Sequence, residues 1–245
     1  MPRFRHNGIA VDTYEADPPG SRRSCLFLTG LPGGVGVGSA VIAANARGWN
    51  VVFPQFPGTY DSDGVFAVSS AAAALRDLIP EIPRYTGFEP PLWIVAHSFG
   101  GFVLTSLLRL APDLAIEKVL LLAPAVSFQA DVGFQVDFRT YLEGTLAERP
   151  YTYRVGAQDE WDEICRGGQP VLKEGDWLGV ARIVIGDRDQ FLEPNRSRDR
   201  LAEVFATLTG CPDVALELVP GAGHSMHELL AGSRYVDAIL GSASE

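Results

Sequence analysis

Short apolar runs recur along the chain, with helical stretches between them. Cys25-Leu26-Phe27-Leu28, Val51-Val52-Phe53, Trp93-Ile94-Val95-Ala96, Val119-Leu120-Leu121-Leu122 and Ile183-Val184-Ile185 are too short for helices and read as buried strands. A further strand covers 214–219. Residues 39–47, 65–79, 99–111, about 196–209 and about 226–240 read as helices. Pro80 and Pro83 are expected to stop the second of these. The segment 3–17 alternates weakly and reads as an edge hairpin turning at Asn7-Gly8. Strands that alternate with helices imply an α/β fold: a mostly parallel sheet with helices on both faces.

One segment breaks this rhythm. Residues 127–179 hold no long apolar strand, are acidic, and carry Phe128, Phe134, Phe138, Tyr141, Tyr151, Tyr153, Trp161 and Trp177. Long segments of this kind are often lids over a site. The chain is therefore expected to divide into a core, 1–126 with 180–245, and an inserted cap, 127–179.

The strand at 93–96 runs into His97-Ser98-Phe99-Gly100-Gly101, and then into a helix apolar on nearly every face. A helix apolar all round is buried. Ser98 thus sits on a sharp strand-to-helix turn in the middle of the protein. Small residues at Ala96 and Gly100 let the backbone fold tightly there. The pattern resembles the G-x-S-x-G nucleophile elbow of the α/β-hydrolase family, with Ala96 in place of the first glycine. The competing reading is a serine that merely caps a buried helix.

Composition narrows the setting. A net charge of −10 over 245 residues argues against nucleic acid and against anionic membrane surfaces. No apolar run reaches the length of a membrane span, and the segment 1–8 lacks the apolar core of a signal peptide. Cys25, Cys165 and Cys211 are odd in number and scattered, which fits reduced thiols and a cytoplasmic setting.

A serine hydroxyl needs a base, and the base needs an orienting partner. Of four histidines, His6 falls in the hairpin and His97 adjoins Ser98, where adjacent side chains on a sharp turn are expected to diverge. That leaves His224, just past the 214–219 strand, and His227 in the next helix. Gly221-Ala222-Gly223-His224 resembles the family's histidine loop, and the resemblance makes His224 the base. The family pattern of a strand, a glycine and an acid three residues on falls on Gly186 and Asp189, which implies Asp189 as the acid. Asp187 is expected to make a turn hydrogen bond or to pair with an arginine. The family's other acid position, after the sixth strand, holds Ala125, Val126 and Ser127. The order Ser98, Asp189, His224 is the order of this fold.

The resemblance also supplies an oxyanion hole from the backbone N–H groups of Phe99 and Leu31, with Thr29 where the family's loop carries histidine. The loop at Gly33, Gly34, Gly36 and Gly38 has a rival reading as a dinucleotide fingerprint, but its third position is Ser39. That reading would also leave Ser98, Asp189 and His224 as coincidences. Most aromatics of 127–179 are expected to pack the insertion down. Phe134, Phe138, Tyr141 and Trp161 are expected to line an apolar pocket.

The sequence thus reads as a serine hydrolase of small to medium-sized apolar esters or thioesters, free or carrier- or CoA-linked, acting through an acyl-enzyme. It requires no metal and no organic cofactor. Non-hydrolytic chemistry on the same fold (lyase, acyltransferase or cyclase) and a slow-turnover ligand sensor stay open as alternatives.

Overall fold

The N-terminal hairpin sets the edge of an eight-stranded sheet. Strands β1 (Arg3–His6) and β2 (Ile9–Tyr14) turn at Asn7 and Gly8, whose φ values of 46° and 81° suit the tight primed turn that Asn-Gly favours. The computed structural model describes residues 3–17, 19–21, 23–31, 42, 44–88, 93–128, 137–148, 152–168, 176–191 and 194–226. The remaining strands are β3 (Ser24–Leu28), β4 (Asn50–Pro54), β5 (Trp93–His97), β6 (Lys118–Leu122), β7 (Val180–Gly186) and β8 (Asp213–Val219). The sheet order is β1-β2-β4-β3-β5-β6-β7-β8; β1, β2 and β4 pair antiparallel, and all pairs from β4 to β8 are parallel.

Helices with defined bounds among the described residues are α1 (Val68–Leu78), α2 (Ile82–Thr86), α3 (Phe99–Leu110), α4 (Phe138–Glu148), α5 (Gln158–Cys165) and α6 (Pro194–Thr209). On one sheet face, Leu26, Ile94, Val119, Leu121 and Ile183 meet Ala71 and Leu75 of α1, Phe102 and Leu107 of α3, and Phe205 of α6. On the other face, Val51, Val95, Leu120, Leu122 and Val184 meet Ala44 and Met226. Every residue of α3 from Phe99 to Leu108 is buried, as its all-round apolar pattern requires. Its polar members turn inward on the helix itself: Thr105 and Ser106 hydroxyls donate to the carbonyls of Gly101 and Phe102.

Helix α1 ends at Leu78, just before Pro80 as expected, but the chain does not leave the helical region. The chain passes through a 3-10 turn, Ile79–Glu81, into α2, and Gly87 at φ 71° stops it. Each proline stands in a first turn, where its missing N–H has no partner to lose.

The parallel strands share one register: Cys25, Trp93, Lys118, Val180 and Asp213 stand side by side. Their C-terminal ends therefore lie along one edge of the sheet, where ligand sites collect in open α/β sheets. The segment 127–179 supplies α4 and α5. It is tied to the rest by bridges between Thr59 and Tyr153 and between Phe66 and Val155. Ala67, the residue before α1, gives it no side-chain cap; the Glu160 carboxylate of α5 instead accepts from the N–H groups of Val68 and Ser69. Phe134, Tyr151, His227, the loop at Gly33, Gly34, Gly36 and Gly38, and the helix expected after Met226 lie outside the described residues. Among the described residues no helix is long and apolar enough to cross a membrane.

Candidate active site

Three strand ends bring three side chains together. Ser98 follows β5 directly and stands at φ 50°, ψ −121°, a backbone conformation non-glycine residues rarely adopt. The turn is over-determined on both sides: Ser98 N–H donates to the Leu122 carbonyl, and the Ser98 carbonyl accepts from Gly101 and Ala125 N–H. Gly100 and Gly101 are where the tightness is needed. A β-carbon on Gly100 would lie 2.5 Å from the Leu28 carbonyl oxygen, and one on Gly101 2.7 Å from Pro124. The Ser98 side chain is thereby held out at the start of α3.

The imidazole of His224 lies between Ser98 and Asp189. Its Nε2 is 2.9 Å from Ser98 Oγ, and its Nδ1 is 2.9 Å and 3.1 Å from the two carboxylate oxygens of Asp189. A carboxylate only accepts, so Nδ1 carries the proton and Nε2 is left to accept from the serine hydroxyl. Asp189 is 6% exposed and its carboxylate fully buried, so water scarcely competes for it. Asp189 Oδ1 also accepts from Phe191 N–H at 2.8 Å. Asp187 takes no part in this line. Its Oδ1 accepts from Gly221 N–H at 2.6 Å and holds the turn that leads to His224. Arg188 N–H donates to the Ala222 carbonyl, which binds the acid loop to the histidine loop a second time.

The β3 loop closes the other side of the serine. A β-carbon on Gly30 would lie 2.8 Å from Ser98 Cβ, so glycine alone permits this approach. Leu31, next in the chain, is buried, and its carbonyl accepts from the Tyr141 hydroxyl of α4. Burial pushes the Tyr141 phenol above its usual range, which keeps it a neutral donor. Tyr141 meets Phe191 edge to face at 5.9 Å, and Phe191 meets the His224 ring in the same way at 4.5 Å. A chain of contacts thus runs from Leu31 through Tyr141 and Phe191 to His224.

Phe99 is buried at the start of α3, stacked against Phe138 at 6.0 Å and Trp161 at 5.9 Å. Phe138 stacks on Phe128 at 3.8 Å. Trp161 is 1% exposed and donates its indole N–H to the Phe66 carbonyl. Among the described residues no group of three or more His, Cys, Asp or Glu side chains is placed to hold a metal ion.

The model of the alpha/beta hydrolase family matches residues 25–238. The chain belongs to this family. Comparison with functionally curated proteins yields no match. Among solved structures, Est1E from Butyrivibrio proteoclasticus, solved with ferulic acid bound, is similar at 14% identity and a TM-score of 0.65, with all of both chains covered. A monoacylglycerol lipase from Paleococcus ferrophilus is similar at 16% identity and a TM-score of 0.59, covering 97% of this chain and 99% of that one. The thioesterase domain from the curacin biosynthetic pathway is similar at 15% identity and a TM-score of 0.61, covering 98% of each. At such identities the likeness concerns the fold.

Two side chains of this alpha/beta hydrolase escaped the sequence reading. Phe191 stands two residues past Asp189, and nothing in a lone phenylalanine marks it as a neighbour of His224. His97 was set aside as a base because it adjoins Ser98. Its ring reaches the backbone of His224 instead, with Nε2 2.9 Å from the His224 carbonyl oxygen.

Proposed function

We propose that this protein hydrolyses small to medium-sized, mostly apolar carboxylic esters or thioesters through an acyl-enzyme on Ser98. The observation that carries the reading is the hydrogen-bonded line from Ser98 Oγ through His224 to Asp189. His224 Nε2 takes the serine proton as Oγ attacks the carbonyl, and returns it to the leaving alcohol or thiol. Asp189 keeps Nδ1 protonated and steadies the imidazolium that forms. The N–H groups of Phe99 and Leu31 hold the oxyanion, a role supported by the seat of Phe99 at the start of α3 and by Gly30 lying against Ser98. Water, activated by the same imidazole, then releases the acyl group and restores the serine.

In this reading 127–179 acts as a cap over a core of 1–126 and 180–245. Tyr141 is the best-supported of its substrate-facing residues, since it reaches both the Leu31 loop and Phe191. Phe138 and Trp161, buried against Phe99, back the apolar side of the site from behind and hold the segment in place. Phe134 belongs to the same proposal from sequence alone. The absence of disulfides among Cys25, Cys165 and Cys211 accords with work in a reducing, cytoplasmic setting. The substrate is a small molecule, free or carrier- or CoA-linked.

The test is a panel of p-nitrophenyl esters and acyl-CoA thioesters of increasing chain length, followed by intact-mass analysis after a short mixing time. Multiple turnover with one acyl adduct, absent in Ser98→Ala, is expected. Turnover without an adduct, or turnover that survives Ser98→Ala, overturns the reading.

A further inference from the structure

The histidine loop is long enough to need support beyond β8. Val219 ends the strand, and five more residues run to His224. The first part of that run is secured from β7: Asp187 holds Gly221 N–H, Arg188 N–H holds the Ala222 carbonyl, and Gly186 packs so tightly on Ala222 that a β-carbon there would lie 2.0 Å from the Ala222 oxygen. The end that carries the imidazole is secured differently. There a side chain, His97, reaches the His224 carbonyl at 2.9 Å, and the two imidazole rings lie 5.5 Å apart.

A carbonyl oxygen only accepts, so His97 must present an N–H at Nε2. His97 Nδ1 then faces the β3 loop: a β-carbon on Gly30 would lie 3.3 Å from it. The ring is thus wedged between the β3 loop and the backbone of His224. It also precedes Ser98 by one peptide unit. Beside the Ser98–His224 hydrogen bond itself, a second route runs from Ser98 through one peptide bond to His97, and then through one hydrogen bond to the His224 backbone. A strut of that length limits how far the base can drift from the nucleophile.

We propose that His97 is a positioning residue for the base, acting through its Nε2–H on the His224 carbonyl and not on the substrate. The proposal rests on the reading of Ser98 and His224 given above. Displacing a reacting group by about an ångström lowers rates by up to about a hundredfold, so loss of the strut should appear in turnover.

The experiment compares the full chain with His97→Leu and His97→Gln. Leucine fills similar space without a donor. Glutamine carries an amide N–H the same number of bonds from Cα as His97 Nε2. His97→Leu should lower kcat about ten- to a hundredfold with KM little changed, and His97→Gln should restore most of it. If His97→Leu does not fold, His97→Asn takes its place with the same expected loss, its amide being one bond too short for the carbonyl. Equal losses in the leucine and glutamine variants, or lowered melting temperatures with unchanged kcat, overturn the proposal in favour of plain packing. Labelling by a small phosphonate separates this failure from the larger one. If the wild type is not labelled at Ser98, the nucleophile reading and the strut fall together. If the wild type is labelled and His97→Leu is labelled at the same rate, the strut alone falls.

Discussion

Gly30 lies against Ser98 so closely that a single added methyl on Gly30 would come within 2.8 Å of the serine Cβ and 3.3 Å of the His97 backbone oxygen. Both partners sit where β5 passes into its turn, which is held by the Ser98 backbone hydrogen bonds to Leu122, Gly101 and Ala125, so the β3 loop is what must move. Gly30→Ala should therefore lower kcat/KM for an ester by about ten- to a hundredfold. Overpacking of this kind destabilises by about 1–3 kcal/mol. Steady-state kinetics beside a melting curve checks both, and an alanine variant with wild-type kinetics would show the approach to be loose.

Ser98 combines a proposed chemical role with backbone strain, and two substitutions separate them. Ser98→Ala should remove about four to six decades of turnover while leaving the fold intact. Ser98→Gly should be equally inactive but melt higher. At φ 50°, ψ −121° a serine holds on the order of 1–3 kcal/mol of strain that glycine does not. Calorimetry of the two variants decides it; a glycine variant that melts below the alanine one contradicts the strain account.

Asp189 and Asp187 stand two residues apart and do different things. Asp189→Asn presents the wrong partner to His224 Nδ1 and should cost up to about four decades in kcat. Asp187→Asn still offers an oxygen to Gly221 N–H and should stay within about tenfold of the wild type. The two variants measured on one substrate give the order, and the reverse order would transfer the acid role to Asp187.

Tyr141 and Trp161 divide the work of the inserted segment. Trp161 is enclosed by Phe66, Phe99 and Phe138, and Trp161→Ala should destabilise by about 3–5 kcal/mol while the order of substrate preference holds. Tyr141→Phe removes the hydroxyl bonded to the Leu31 carbonyl and should change turnover and preference with little effect on melting. A substrate panel run beside thermal melts distinguishes them. Equal melting losses with unchanged preference in both would make the segment a packing element only.

Much of the fold was legible because its signals are local. Apolar runs of three or four residues between helical patterns mark parallel strands buried on both faces, and β3, β5 and β6 formed within a residue of where those runs lie, with β7 starting three residues early. Asn7-Gly8 announced its turn through residues that tolerate positive φ. Pro80 and Pro83 marked the end of the α-helix at Leu78, but each also opens the next helical turn, since proline is at home in a first turn.

The resemblance to the α/β-hydrolase family also pointed to Ser98, Asp189 and His224, each just past its own strand. It could not show that Ser98 Oγ and His224 Nε2, 126 residues apart, come within 2.9 Å, since that distance depends on the shared register of β5 to β8. The sequence reading set His97 aside as the base because His97 adjoins Ser98. Only the tertiary structure decided what its ring reaches, namely the His224 carbonyl. Hydrogen bonds of this kind, like the Tyr141 bond to Leu31 and the Glu160 cap on α1, join residues distant in sequence whose types carry no spacing signal. Such partners are selected by three-dimensional packing, because a buried polar group must find one wherever the folded chain supplies it.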